Sequence, residues 1–138
     1  MPNNVLELRT RADTEKITVN LGFVDLGHVD LLVREGFYSN RTDFIRTAIR
    51  NQLERHSDVL KQNIARKAID LGLRHYSRDE LEKVRAAHQT LDLNVLGLVT
   101  IAADVPAELA RATIASVSVL GALHASAEVK AALADRMR

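Results

Sequence analysis

The chain has 138 residues, of which 46% are hydrophobic and 27% charged, and this composition is typical of a globular protein. The absence of cysteine excludes disulfides and thiolate metal sites, and it agrees with the reducing cytoplasm, where we expect the protein to act. The formal net charge is only +1, so bulk charge does not indicate nucleic-acid binding and residue patterns must decide the function.

The first patterned segment is a predicted β-strand at residues 16–21, Lys-Ile-Thr-Val-Asn-Leu. Alternation of polar and apolar residues is typical of a half-buried strand. The side chains expected to face a core are Ile17, Val19 and Leu21. The outward side chains are Lys16, Thr18 and Asn20. No matching strand follows within hairpin distance, and a lone strand leaves its backbone groups unpaired, so the simplest partner is the same strand of a second copy.

Two amphipathic helices are predicted after this strand. In residues 24–35 the apolar residues recur every three or four positions, and Gly36 is suited to the residue just past the helix end. A second helix is expected to begin at Asn40, a favourable N-cap, with Asp43 approximating a capping box. It continues to about His56, and its apolar stripe consists of Phe44, Ile45, Ala48, Ile49 and Leu53.

The region from residue 15 to residue 56 resembles the CopG-like ribbon-helix-helix regulators without a gap. The resemblance rests on the run at residues 38–46, Tyr-Ser-Asn-Arg-Thr-Asp-Phe-Ile-Arg, and on the preceding Leu21, Leu26, Val29, Asp30, Leu32, Val33 and Gly36. It implies that two chains pair their strands into an antiparallel ribbon, which inserts into the DNA major groove. Two residues depart from the family pattern: Asp25 replaces a usual apolar residue, and Gly22 replaces the common proline.

This resemblance supplies candidate DNA contacts. Side chains on the outward face of the ribbon can bond to base edges, and those expected to do so are Lys16, Thr18 and Asn20. The start of the second helix offers backbone N–H groups and the positive end of the helix dipole to a phosphate. The residues expected to contact phosphate there are Ser39, Asn40, Arg41 and Thr42.

The second half of the chain contains three similar apolar runs, each followed by a predicted helix start. Their glycines, Gly72, Gly97 and Gly121, are spaced 25 and 24 residues apart. The predicted helix starts are Ser77 with Glu80, Asp104 with Pro106 just inside the helix, and Ser126. We expect parallel strands alternating with helices. A short solenoid with the rhythm of leucine-rich repeats and ordinary alternation of strands and helices are both open.

The predicted fold class is therefore α+β, with an N-terminal ribbon-helix-helix followed by a small C-terminal α/β domain of about three strand–helix repeats. The ribbon has two antiparallel strands, one from each chain, and each chain adds two helices. The expected domains are a flexible arm at 1–14, the DNA-binding domain at 15–56, a helical linker at 57–66 and an oligomerisation domain at 67–138.

The sequence gives little support for metal binding or for catalysis. His75, His88 and His124 are candidate metal ligands because nickel-responsive regulators join a similar N-terminal unit to a sensing domain. They lie singly, no two share a metal-like spacing on one element, and we expect neither a metal nor another cofactor. No phosphate loop, nucleophile elbow or paired histidines occur, so no catalytic residue is predicted and the protein is not expected to be an enzyme.

The sequence thus predicts a homodimeric, sequence-specific DNA-binding repressor. Its partners are expected to be double-stranded DNA and further copies of itself, with the C-terminal half promoting higher assembly. Two alternatives remain at this stage. One is an antitoxin whose second half binds a toxin protein, although such tails are usually disordered and this one is patterned to fold. The other is a ligand-responsive regulator with a small-molecule site in the second half.

Overall fold

The computed structural model describes residues 14–138, so the predicted arm lies outside the described residues except for Thr14. These residues form two compact units, Thr14–Asn63 and Ile64–Arg138. The helix Ser57–Arg66, which the sequence analysis treats as a linker, contains the boundary between them. No helix among the described residues is long and apolar enough to cross a membrane.

The N-terminal unit contains two successive helices, α1 (Phe23–Arg34) and α2 (Arg41–Arg55), followed by α3 (Ser57–Arg66). Gly36 lies just past α1 with a φ of 85°, a conformation that glycine adopts without a steric penalty. Its N–H donates to the carbonyl of Val33, and the N–H of Phe37 donates to that of Leu32. This pair of bonds closes the helix end as a Schellman motif, so the predicted role of Gly36 is confirmed.

Residues 14–22, before α1, form neither helix nor strand within the described part of the chain, so the strand predicted at 16–21 is not present in the protomer. The predicted ribbon is intermolecular, so a single protomer does not contain it. Ile17 and Val19, the side chains expected to face a core, are accordingly exposed by 72% and 66%. Gly22 is the N-cap of α1 with φ −62° and ψ 150°. A proline adopts these same angles, so the glycine preserves the entry geometry that the family's usual proline would give.

The C-terminal unit alternates strands and helices. In chain order these are β1 (Asp70–Tyr76), α4 (Arg78–Ala86), β2 (Leu91–Ile101), α5 (Ala107–Thr113), β3 (Ile114–His124) and α6 (Ala127–Leu133). A short 3₁₀ turn, Ala134–Arg136, follows α6. The strands form one parallel sheet in the order β1-β2-β3. The mixed fold class and the parallel strand–helix alternation are therefore as predicted.

Two of the three predicted helix starts are confirmed and one is wrong in detail. The hydroxyls of Ser77 and Ser126 accept hydrogen bonds from the N–H groups of Glu80 and Val129, as N-caps do. The middle helix begins at Ala107, with Pro106 as its N-cap at φ −74° and ψ 153°. Pro106 therefore precedes the helix instead of opening it, and Asp104 lies too far upstream to act as the cap.

The core of the C-terminal unit lies between the sheet and its helices. Leu81, Leu109, Ile114 and Leu133 are fully buried in it, and further core residues come from alternate positions of β2. These β2 residues are Leu93, Val95, Val99 and Ile101. One face of the sheet is thus packed against helices, and the side chains on the opposite face point away from this core.

The repeated glycines lie side by side across the sheet. Gly72 pairs with Gly97, and Gly97 pairs with Gly121. Their φ angles of 121°, 141° and 122° belong to a region that side chains rarely adopt. A Cβ atom on Gly97 would lie 2.1 Å from the carbonyl oxygen of Gly72, and one on Gly121 would lie 2.1 Å from that of Gly97. The regular spacing of the glycines in the sequence therefore reflects the close approach of paired strands, which leaves no room for a Cβ atom at Gly97 or Gly121.

Candidate nucleic-acid interface

The start of α2 is fixed by two reciprocal hydrogen bonds. The Asn40 side-chain oxygen accepts from the N–H of Asp43 at 2.8 Å, and the Asp43 carboxylate accepts from the N–H of Ser39 at 2.9 Å. The predicted N-cap is confirmed, but the capping box is not formed as predicted, because the Asp43 carboxylate accepts from the residue before the cap and not from Asn40. Capping leaves the N–H groups of Arg41 and Thr42 without intrahelical partners, because the first turn of a helix has none to offer.

Arg41 joins the start of α2 to α1 through a two-point contact with Asp30. The distances are 2.7 Å from Nε to Oδ1 and 2.8 Å from Nη2 to Oδ2. The hydrogen bond from the guanidinium, together with its charge, lowers the pKa of Asp30. The same pair raises the pKa of Arg41. The guanidinium predicted to contact phosphate is thus bonded within the protomer, and this contact orients the head of α2.

Replacing Asp30 by asparagine should remove a pH-dependent contribution to stability. The folded-state pKa of Asp30 lies below its unfolded value, so the ionised group stabilises the folded protein above about pH 4 and loses this effect as pH falls through the folded pKa. We expect the Tm of the Asp30→Asn variant to lie below that of the wild type at pH 6 and the two to converge in acid. Circular dichroism melts at several pH values measure this. A Tm difference that does not change with pH would contradict the role given to the ion pair.

A polar groove runs along the first two turns of α2, with a volume of about 550 Å³. Three of the four predicted phosphate contacts, Ser39, Asn40 and Thr42, line it together, and the other lining residues are Asp43, Arg46, Thr47 and Arg50. Neither Arg46 nor Arg50 forms an ion pair within residues 14–138. Neither arginine was predicted as a phosphate contact, although their positions four and eight residues after Thr42 place them on its side of the helix.

The predicted base contacts lie on the segment before α1. Lys16, Thr18 and Asn20 are all exposed, as are the apolar residues between them. In the predicted ribbon successive side chains point to opposite sides, so these three are expected to share one side. The structure thus places the phosphate candidates in one groove and the base candidates on a separate exposed segment of the same unit.

Between α1 and α2 the unit has an apolar groove of about 390 Å³. Its lining is Leu21, Asp25, His28, Val29, Leu32, Phe44, Ile45, Ala48 and Ile49. Only Val29 is buried in these two helices, and Ile45, Ile49 and Leu53 are exposed by 41%, 48% and 54%. The helix pair therefore presents more apolar surface than it buries. Asp25, one of the two departures from the family pattern, lines this groove as its acidic member.

The histidines considered as metal ligands lie in the C-terminal unit. His75 and His124 occupy equivalent positions of β1 and β3, on either side of Thr100, and His88 follows α4. Within the described part of the chain, no group of three histidine or carboxylate side chains is arranged to hold a metal ion.

A model of the ribbon-helix-helix transcriptional regulator family matches residues 12–130. The chain therefore belongs to this family, and membership places it among DNA-binding transcriptional regulators. The resemblance noted in the sequence is confirmed, and the match extends beyond it through the three strands of the C-terminal unit. No curated protein and no solved structure matches the chain.

Proposed function

We propose that the protein is a homodimeric, sequence-specific DNA-binding repressor. The observation that carries this proposal is that one unit of a regulator-family chain holds both an exposed segment with alternating polar side chains and a polar groove at a capped helix start. The segment has the chemistry for reading base edges, and the groove has the chemistry for holding a phosphate. The two functions are separate in DNA recognition, since phosphate contacts fix the register and base contacts supply sequence choice.

The base contacts in this proposal are made by Lys16, Thr18 and Asn20 from each strand of the ribbon. A lysine can donate to guanine O6 and N7, and hydroxyl and amide side chains can donate or accept at base edges. The intervening apolar side chains of Ile17, Val19 and Leu21 would pack beneath the ribbon. Their high exposure in the protomer supports this arrangement, because pairing with a second chain gives them a buried environment.

The phosphate contacts are made at the start of α2 by Ser39, Asn40, Arg41 and Thr42. The backbone N–H groups of Arg41 and Thr42 point out of the first turn, and the hydroxyls of Ser39 and Thr42 lie beside them. We assign the Arg41 guanidinium a shared role, holding Asp30 while its backbone N–H faces the phosphate. Arg46 and Arg50 extend the groove with positive charge and join the proposed contacts.

Dimerisation through the N-terminal unit follows from its exposed apolar surface. The groove between α1 and α2 and the exposed stripe of α2 share Ile45 and Ile49 and are lined mainly by apolar side chains. Exposed apolar patches of this kind mark protein–protein interfaces. A second copy would cover the groove with the same surface, as a two-fold interface requires.

The C-terminal unit is proposed to promote assembly beyond the dimer. One ribbon offers few base contacts and the chain has a net charge of only +1, so joining two dimers on adjacent sites would raise affinity through effective concentration. The alternative role as an antitoxin is less well supported. This unit has a closed core of its own and therefore does not have to fold around a partner.

Selection from a random double-stranded DNA library tests the proposal. We expect the full-length protein to enrich a short motif arranged as two symmetric half-sites, because a two-fold dimer reads a symmetric site. Transcription in vitro from a promoter overlapping that motif should then fall as protein is added. Failure to enrich any motif would refute sequence-specific binding, and increased transcription would show an activator in place of a repressor.

A further inference from the structure

The C-terminal sheet has a second face, opposite its helices, whose side chains form rows across the strands. Residues at paired positions of the three strands point the same way, so each row has one member from each strand. Two central rows are apolar: Leu71, Leu96 and Leu120, then Leu73, Leu98 and Ala122. We call these six residues the apolar band.

Half of the apolar band is exposed in the described part of the chain, and its other three residues are partly buried. Leu71, Leu73 and Leu120 are exposed by 64%, 66% and 58%, although the other face of the same sheet contains fully buried residues. Parallel sheets occur almost always with both faces covered, because their strands are apolar on both sides. The band therefore has the composition of an interface and requires a cover.

The band is bordered by different polar groups at its two ends. At the carboxyl end of the strands lies the row His75, Thr100 and His124. At the amino end lie Asn94 and Ser118, followed by Asp92 and Ser116, whose hydroxyl donates to the Asp92 carboxylate at 2.7 Å. Imidazoles donate hydrogen bonds and carry positive charge when protonated, whereas a carboxylate only accepts. The face is therefore polar in opposite senses at its two ends.

We propose that this face binds the same face of a second copy, with the strands of the two sheets antiparallel. A two-fold axis across the strands, through the middle of the apolar band, superposes band on band. It also brings the histidine end of each sheet over the Asn94 and Asp92 end of the other. An axis along the strands would instead place Asp92 over Asp92, a repulsive arrangement of like charges. The apolar band, with hydrogen-bond donors at one end and a carboxylate at the other, is thus complementary to a second copy of itself in the antiparallel orientation.

The area of the face determines whether this contact is stable by itself. Three strands about 4.8 Å apart and five rows about 6.7 Å apart cover roughly 400 Å² per copy. The total of about 800 Å² is below the roughly 1,200 Å² or more of stable interfaces, so two isolated units would associate weakly. The contact is expected to be stable between chains that are already paired through their N-terminal units. Two such contacts then act together, because pairing raises the effective concentration of the second one. In this respect it rests on the proposed function, and its product is a dimer of dimers.

Light scattering of the full-length protein over a range of concentrations tests this inference. We expect the wild type to pass from dimer to tetramer and the Leu73→Lys, Leu120→Lys double variant to remain a dimer with at least tenfold weaker tetramer formation. Both side chains are more than half exposed, so the variant should keep its fold, which circular dichroism checks. The Ala86→Lys, Ala87→Lys double variant is the matched control, because it adds the same two charges at exposed positions at the end of α4, on the helix side of the unit.

The orientation has its own test. Asp92→Lys should weaken the tetramer by replacing an acceptor with a cation at the end that meets the partner's histidine end, and adding His124→Glu should restore it by supplying a carboxylate for that lysine. A lack of rescue would overturn the antiparallel arrangement. Unchanged tetramer formation in the Leu73→Lys, Leu120→Lys variant, or a wild type that remains a dimer at every concentration, would overturn the inference as a whole while leaving dimeric DNA binding intact. A wild-type monomer would instead refute the proposed dimer.

Discussion

Replacing Gly97 by alanine should strongly destabilise the C-terminal sheet. The added Cβ would lie 2.1 Å from the carbonyl oxygen of Gly72, 2.9 Å from its carbon and 3.3 Å from its Cα. All three atoms belong to the backbone of the neighbouring strand, so relief requires β1 to separate from β2. The φ of 141° adds strain of about 1–3 kcal/mol. We expect the free energy of unfolding to fall by more than about 4 kcal/mol, which exceeds what most single substitutions cost.

Gly72→Ala is the matched control for this prediction. Gly72 has a similar φ of 121°, but an added Cβ at this position meets no atom within 4 Å. It should therefore show the backbone strain alone, at about 1–3 kcal/mol. Urea unfolding followed by circular dichroism compares the two variants. Equal destabilisation would mean that the β1 backbone yields to the new methyl group, and that close packing of the glycines is not what maintains them.

Features that depend on neighbours in the chain could be predicted from the sequence. The end of α1 at Gly36 and the caps of Asn40, Ser77 and Ser126 each involve residues within five positions of one another. Their geometry therefore follows from short sequence patterns. The sheet order was also accessible, because the 25- and 24-residue spacing of the glycines reflects their register across the strands.

Features that depend on tertiary contacts were not accessible in the same way. The bond between Arg41 and Asp30 joins residues eleven positions apart on different helices, so no local pattern indicates it. The sequence pattern therefore favours Arg41 as the phosphate contact and does not single out the two arginines that line the groove. The proposed ribbon is a more extreme case, since its bonds would join two chains. The domain boundaries and the DNA contacts accordingly stay predictions.

Replacing Lys16, Thr18 and Asn20 together by alanine should remove sequence preference while leaving the dimer intact. A good base contact contributes about 1–3 kcal/mol of discrimination, and a dimer would lose three side chains from each of two strands. Specific binding exceeds non-specific binding by about 4–10 kcal/mol, so the effect is large enough to eliminate that difference. On the selected motif we expect affinity to fall at least a thousandfold, to the level measured on unrelated DNA.

The Arg46→Ala, Arg50→Ala variant separates this effect from a general reduction in affinity. Removing arginines that bind phosphate should weaken binding equally on selected and unrelated DNA, and it should lower the log–log salt dependence by about 0.9 for each phosphate no longer neutralised. The alanine triple variant should show the opposite pattern, with weaker binding confined mainly to the selected motif. Fluorescence anisotropy at several salt concentrations measures both quantities. If the triple variant still preferred the selected motif, base reading would have to be assigned elsewhere, and the exposed polar side of residues 16–20 would merely be solvated.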